Sequence, residues 1–83
     1  MDNYYTEVVA TIKKYLKKKY AFRIINKLTG VEYTEERSKL GADVIPGLSE
    51  DTWEILIEKM YDDGYIIKDD GRTVTFTDEF VIK

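Results

Sequence analysis

The sequence predicts an α+β fold in which helices are followed by a C-terminal β-hairpin, and three observations carry that expectation. Residues 3–18 repeat apolar side chains at helical spacing, and residues 49–63 do the same behind a serine and two acids. Directly after the second run, two short apolar stretches flank Asp69-Asp70-Gly71-Arg72, the mark of a tight turn between strands. At 83 residues the chain is expected to be one domain, spanning 1–83, with a single modest core.

Taken in order, Tyr4, Tyr5, Val8, Val9, Ile12, Tyr15 and Leu16 fall on one side of a helical wheel, and Lys13, Lys14, Lys17 and Lys18 on the other. The first element is therefore an amphipathic helix with a lysine-covered outer face. Lys19 would fall inside the apolar arc, which places a bend or stop at Lys19-Tyr20. Phe22, Ile25 and Leu28, with Ile24 beside them, favour a second short helix ended by Gly30, although Ala21 to Ile25 could also be extended. Val31-Glu32-Tyr33 has strand propensity, and Thr34 is placed to cap a short helix that opens on Glu35-Glu36, runs to Leu40 and ends at Gly41. Ala42 to Gly47, with the single proline Pro46, reads as a loop.

Ser49 can cap the next helix, where Glu50 and Asp51 put negative charge at the positive end of the helix dipole. Trp53, Leu56, Ile57, Met60 and Tyr61 make its buried stripe, and Gly64 ends it, since glycine tolerates the left-handed conformation of a C-terminal cap. With Asp70-Gly71 at the centre of a type I′ turn, Ile67 lies opposite Val74 and Tyr65 opposite Phe76 on one apolar face, while Lys68 and Thr73 take the other. A lone hairpin is marginal, so this face must pack on the helices. The segment Thr77 to Lys83, with Phe80, Val81 and Ile82, either extends the last strand or folds back as a short turn. Most of the seven tyrosines read as core residues with their hydroxyls at the rim, and Trp53 as a core anchor.

Composition narrows the function. Hydrophobic residues at 43% and charged ones at 35% describe an ordinary globular protein rather than a disordered chain. There is neither cysteine nor histidine, which removes disulfides, thiolate chemistry, the usual zinc ligands and the imidazole base, so no enzymatic activity and no cofactor are expected. The pairs Asp62-Asp63 and Asp69-Asp70 lack an enclosed, pKa-shifting setting, and their spacing matches no calcium loop, so no metal is expected either. No segment approaches the roughly 20 apolar residues that cross a bilayer, and no signal-like run opens the chain; a cytoplasmic, membrane-free protein is the expectation. The net charge of −3 is unevenly spread. In residues 1–30 seven basic side chains face two acidic ones, a net of +5, whereas residues 31–83 carry fourteen acidic and six basic, a net of −8.

The order helix, short strand, helix, helix, hairpin resembles that of the winged helix-turn-helix superfamily. The likeness is specific in LIEKMYDDGYIIKDDGRTVTF, which looks like the junction between third helix and wing, and loose before it. The size and composition resemble those of small winged-helix proteins of phages and mobile elements. The resemblance implies a small winged-helix domain and, most often in that superfamily, a third helix inserted in the DNA major groove. Here that helix is expected to turn Asp51, Glu54, Ile55, Glu58, Lys59 and Asp62 outward, four acids that phosphates would repel.

Two functional expectations follow. The first is a non-enzymatic module that binds a protein partner, such as a phage-type modulator of a nucleic-acid-handling protein, through Asp51, Glu54, Ile55, Glu58 and Asp62. Ile55 amid carboxylates is what the centre of a charged-rim interface requires, though it could equally pack within the fold. The second is a DNA-binding transcriptional regulator, monomeric or homodimeric, that contacts phosphates through Lys13, Lys14, Lys17, Lys18, Arg23 and Lys27. A solvated surface is the plain alternative for either charged face.

Overall fold

In the computed structural model the described residues are 2–25 and 33–82. Lys27, the expected helix end at Leu28 to Gly30, and Val31-Glu32 lie outside them. Helix α1 (Asp2–Lys19) buries Tyr5, Val8, Ile12 and Leu16, one line of side chains at three- and four-residue steps, while Tyr4 at the edge of that line stays exposed. The expected stop at Lys19-Tyr20 is where α1 ends, and the Tyr20 ring turns inward to meet Tyr33 edge to face, centroids 5.3 Å apart. Helix α2 (Ala21–Ile25) follows, but Phe22 and Ile25 are 76% and 85% exposed rather than core. Tyr20, one step outside the expected stripe, takes the buried place instead.

The largest departure comes next. Strand β1 spans Tyr33–Glu36, so Thr34 caps nothing and Glu35-Glu36 do not open a helix; helix α3 (Arg37–Lys39) starts two residues later. Local capping signals lose here to tertiary pairing: β1 runs antiparallel to β3 (Thr73–Phe76), setting Tyr33 opposite Phe76 and Glu35 opposite Val74. Gly41 does not terminate the helix. The chain continues from α3 through a π-helical turn, Leu40–Val44, so the loop expected over Ala42 to Gly47 falls at residues 45–49 instead.

Helix α4 (Glu50–Asp62) forms as expected, with Ser49 Oγ accepting the Thr52 N–H at 3.2 Å and Trp53, Leu56, Ile57 and Met60 buried. Gly64, at φ 83°, ends it in the left-handed region. Strand β2 (Ile66–Asp69) then pairs with β3 in a register unlike the expected one: Asp69 faces Val74, Lys68 faces Thr75 and Ile66 faces Phe76, with a bulge at Ile67. The reason is at the tip. A type I′ turn needs both central residues left-handed, yet only Gly71 is, at φ 89°, whereas the Asp70 carboxylate accepts the N–H groups of Arg72 and Thr73 at 2.9 and 2.7 Å. The turn is therefore centred one residue later, on Gly71-Arg72, with the Asp70 N–H donating to the Thr73 carbonyl at 3.2 Å; the pairing slips, and the bulge absorbs part of the slip.

The sheet order is β1-β3-β2, three antiparallel strands with β3 in the middle. The C-terminal segment folds back as helix α5 (Asp78–Ile82), Thr77 Oγ1 accepting the Phe80 N–H at 3.1 Å. Phe80 stacks between Tyr65 and Phe76, at 4.9 and 5.5 Å, which draws Tyr65 away from the cross-strand position expected of it. The core lies between the sheet and helices α1, α4 and α5, and contains Ile12, Leu16, Leu56, Met60, Val74, Phe76 and Val81. Glu35 is buried as well, held by Lys19 and by the Tyr15 hydroxyl at 3.2 Å.

Candidate protein-docking face

The outer side of α4 follows from its inner side. Burying Trp53, Leu56, Ile57 and Met60 leaves Asp51, Glu54, Ile55, Glu58 and Asp62 exposed along the helix. Lys59, the one cation expected among them, is half-buried, its Nζ 4.5 Å from the centroid of the Tyr5 ring on α1, a cation–π contact. The exposed side of α4 is thus four carboxylates around Ile55. Tyr5 also donates its hydroxyl to Asp63 just past the helix; burial first, then this bond and the nearby negative charge, push the Tyr5 phenol well above its ordinary pKa.

Two residues expected in the core line a groove that borders this face along Glu54 and Glu58. Tyr61 and Ile67 are 53% and 58% exposed, much like Ile55 at 54%. Tyr61 falls one step past the buried stripe, and the bulge turns Ile67 out of the apolar side of the sheet. A groove of about 550 Å³ runs between α4 and β2 with Glu54, Glu58 and Tyr61 on one wall, Ile67, Lys68 and Asp69 on the other, and buried Ile57 beneath. Residues 54, 58 and 61 stand on one helical stripe, so they present a single edge to the groove.

Arg37 spans the end of the groove. Its Nη2 lies 2.6 Å from Asp69 Oδ2 and its Nη1 3.6 Å from Glu54 Oε1, while its backbone N–H donates to the Arg72 carbonyl at 2.9 Å. One guanidinium thus ties α3, α4 and the hairpin together and sets the width of the opening. It neutralises part of the charge of Glu54 and Asp69, leaving Asp51, Glu58 and Asp62 uncompensated among the described residues. At the tip, the hydrogen bonds from Thr73 and Arg72 hold the Asp70 carboxyl down at about 2.

The alternative nucleic-acid residues are arranged differently. Lys14 and Lys18 are exposed, Lys13 and Lys17 half-buried, and among the described residues none of the four pairs with a carboxylate. Arg23 lies over the Tyr20 ring at 5.6 Å. A second opening, about 610 Å³, lies between α3, the start of α4 and the hairpin tip, and is lined by both signs of charge, Glu36, Glu50 and Asp70 against Arg37 and Arg72. Among the described residues no group of three or more acidic side chains is placed to hold a metal ion, and no helix is long and apolar enough to cross a membrane.

Sequence reasoning placed Asp51, Glu54, Ile55, Glu58 and Asp62 on this face and missed Arg37, Tyr61 and Ile67. The doublet Ile66-Ile67 held a usable signal, because neighbours in a strand face opposite ways and one of the two had to point outward. Arg37 gave none, since its role depends on where β1 ends. Comparison of the chain with protein-family models, with curated proteins and with solved structures found no match in any of the three.

Proposed function

We propose that this chain is a small winged-helix module without catalytic activity, whose α4 face and adjoining groove dock a basic protein surface. The element order and the three-stranded sheet β1-β3-β2, with β1 preceding two helices and a hairpin, support the winged-helix reading. The observation that carries the functional reading is the chemistry of α4. The helix that a DNA-binding relative would place in the major groove presents Asp51, Glu54, Glu58 and Asp62 around Ile55, beside Tyr61 and Ile67. Phosphates repel such a face, whereas an arginine- or lysine-rich segment with one apolar anchor satisfies both its rim and its centre. A nucleic-acid-handling protein offers surfaces of that kind, and the carboxylates would then stand where phosphates otherwise bind.

The test is a titration of isotope-labelled protein, followed by amide NMR, with a helical peptide of lysine and leucine at amphipathic spacing. Saturable shifts at Glu54, Ile55, Glu58, Tyr61 and Ile67, abolished in Glu54→Lys with Glu58→Lys, support the proposal. Shifts elsewhere alone would sink it. A second reading, phosphate contact through Lys13, Lys14, Lys17 and Lys18, draws on the absence of carboxylate partners for those lysines among the described residues. It predicts salt-sensitive binding of random-sequence duplex DNA that is lost when the four become glutamate.

A further inference from the structure

The molecule carries a second exposed apolar group, and its charge is opposite. Phe22 and Ile25 on α2 are among the most exposed large apolar side chains described, and around them in the chain stand Lys17, Lys18, Lys19 and Arg23. Isolated exposed apolar residues are ordinary, but here two lie one helical turn apart inside a basic run. The acidic face pairs apolar with charged groups in the same way with the signs reversed: Ile55 and Tyr61 lie among the carboxylates of α4, and Ile67 lines the groove with Glu54, Glu58, Lys68 and Asp69.

The fold holds these groups apart. Lys19 pairs with Glu35 of β1, and the Tyr20 hydroxyl donates to the Thr34 carbonyl of β1 at 2.7 Å, so the end of α1 and the start of α2 are fixed to one edge strand of the sheet. The acidic groove is built on β2, the opposite edge strand. The two surfaces belong to different sides of one small body, and two copies can bring them together as one copy alone does not.

We infer that this chain associates with itself head to tail, the basic Phe22–Ile25 patch of one copy docking on the acidic Ile55–Tyr61–Ile67 face of the next. Such a contact is heterologous: it uses two different surfaces, so it either closes into a ring or extends into an open row. Apolar side chains at the centre of each surface and opposite charges at the rims match the anatomy of a protein interface. The inference rests on the proposed function for one of its two surfaces, and it implies that a foreign basic partner competes with self-association for α4.

The experiment is sedimentation velocity on wild type and on two variants built from exposed residues with neutral replacements. The first, Phe22→Ser with Ile25→Ser, removes the basic patch's apolar centre. The second, Glu54→Gln, Ile55→Ser and Glu58→Gln, removes the acidic face. Circular dichroism matching wild type establishes that both fold. Wild type at low salt is expected to sediment as a species larger than the 9.7 kDa chain and to revert to it in molar salt, where screening acts over only about 3 Å.

Each variant alone is expected to be monomeric, and an equimolar mixture to form a species of twice the chain mass and no larger, because it holds one intact copy of each surface. A monomeric wild type at low salt overturns the inference. So does association without rescue in the mixture, which would mean a symmetric contact. The lysine–leucine peptide separates this from the proposed function: if it binds α4 of the monomeric first variant while wild type does not self-associate, the docking face stands and the head-to-tail contact falls. If wild type associates and the peptide does not bind, the reverse holds.

Discussion

Replacing Gly41 by alanine sets two physical effects against each other at a position where the sequence and the fold assign glycine different jobs. Read as a helix terminator, Gly41 would be kept for its backbone freedom. In the structure it lies inside the π-helical turn, and its φ is not positive, so alanine meets no backbone strain. Helix propensity alone then favours alanine by about 1 kcal/mol. The added methyl would, however, sit 2.9 Å from Nε1 of Trp53, 3.5 Å from Cδ1 and 3.7 Å from Cε2. Trp53 is only 5% exposed, and a rigid indole packed in the core cannot move one edge without moving the rest. Overpacking of this kind costs about 1–3 kcal/mol, which exceeds the propensity gain. We expect net destabilisation of about 1 kcal/mol, or a Tm lower by about 4–8 °C for a domain of this size. Thermal unfolding followed by circular dichroism reads it. Because the clash is with the indole nitrogen, Trp53→Phe should remove it, and Gly41→Ala in that background should be neutral or stabilising. A higher Tm for Gly41→Ala in the wild-type background would refute the packing argument.

Other outcomes follow from the same geometry. Lys19→Met strands the buried Glu35 carboxylate with only the Tyr15 hydroxyl; breaking a buried pair costs about 3–5 kcal/mol, less here because Lys19 is about one-third exposed. Adding Glu35→Met should recover most of the loss in urea unfolding, and a double variant as unstable as the single one would remove the ion pair as the cause. Ile66→Ala should cost about 2–5 kcal/mol as a core truncation, whereas Ile67→Ala should stay within about 0.5 kcal/mol as a surface change; the reverse ranking would restore the register that the sequence suggests. The Asp70 carboxyl is lower in the folded chain, about 2 against an ordinary 3.8, so its contribution to the hairpin is whole above about pH 4 and is lost as pH falls through about 2. Carboxyl-carbon NMR of Asp70, with the amide shifts of Arg72 and Thr73, should titrate together near that lower value. A midpoint in the ordinary carboxylate range would contradict the hydrogen bonds to the tip.

The elements that local sequence determines were legible. Helix α1 announced itself by spacing and its end by Lys19; α4 did so by Ser49, its stripe and Gly64. What resisted reading was set by partners far away in the chain. Tyr33–Glu36 became a strand because β3 was there to pair with it, a fact that Thr34 and two glutamates could only obscure. Hairpin position was visible but register was not, since one aspartate side chain at the tip decided on which two residues the turn is centred. That shift moved Ile67 from the expected core to the groove and so added to the candidate site. The acidic residues of the site were readable because they occupy the side of α4 opposite a clear apolar stripe. Phe22 and Ile25, by contrast, looked like a stripe and lie on the surface, because apolar spacing says which residues share a face and not what covers it.

The most direct test of the docking face is the amide NMR titration of the labelled protein, run once with the lysine–leucine peptide and once with random-sequence duplex DNA at low salt. Docking on α4 predicts saturable peptide shifts along residues 54–62 and at Ile67, with the same amides unmoved by DNA. DNA shifts along α4, or peptide shifts confined to other elements, would contradict it.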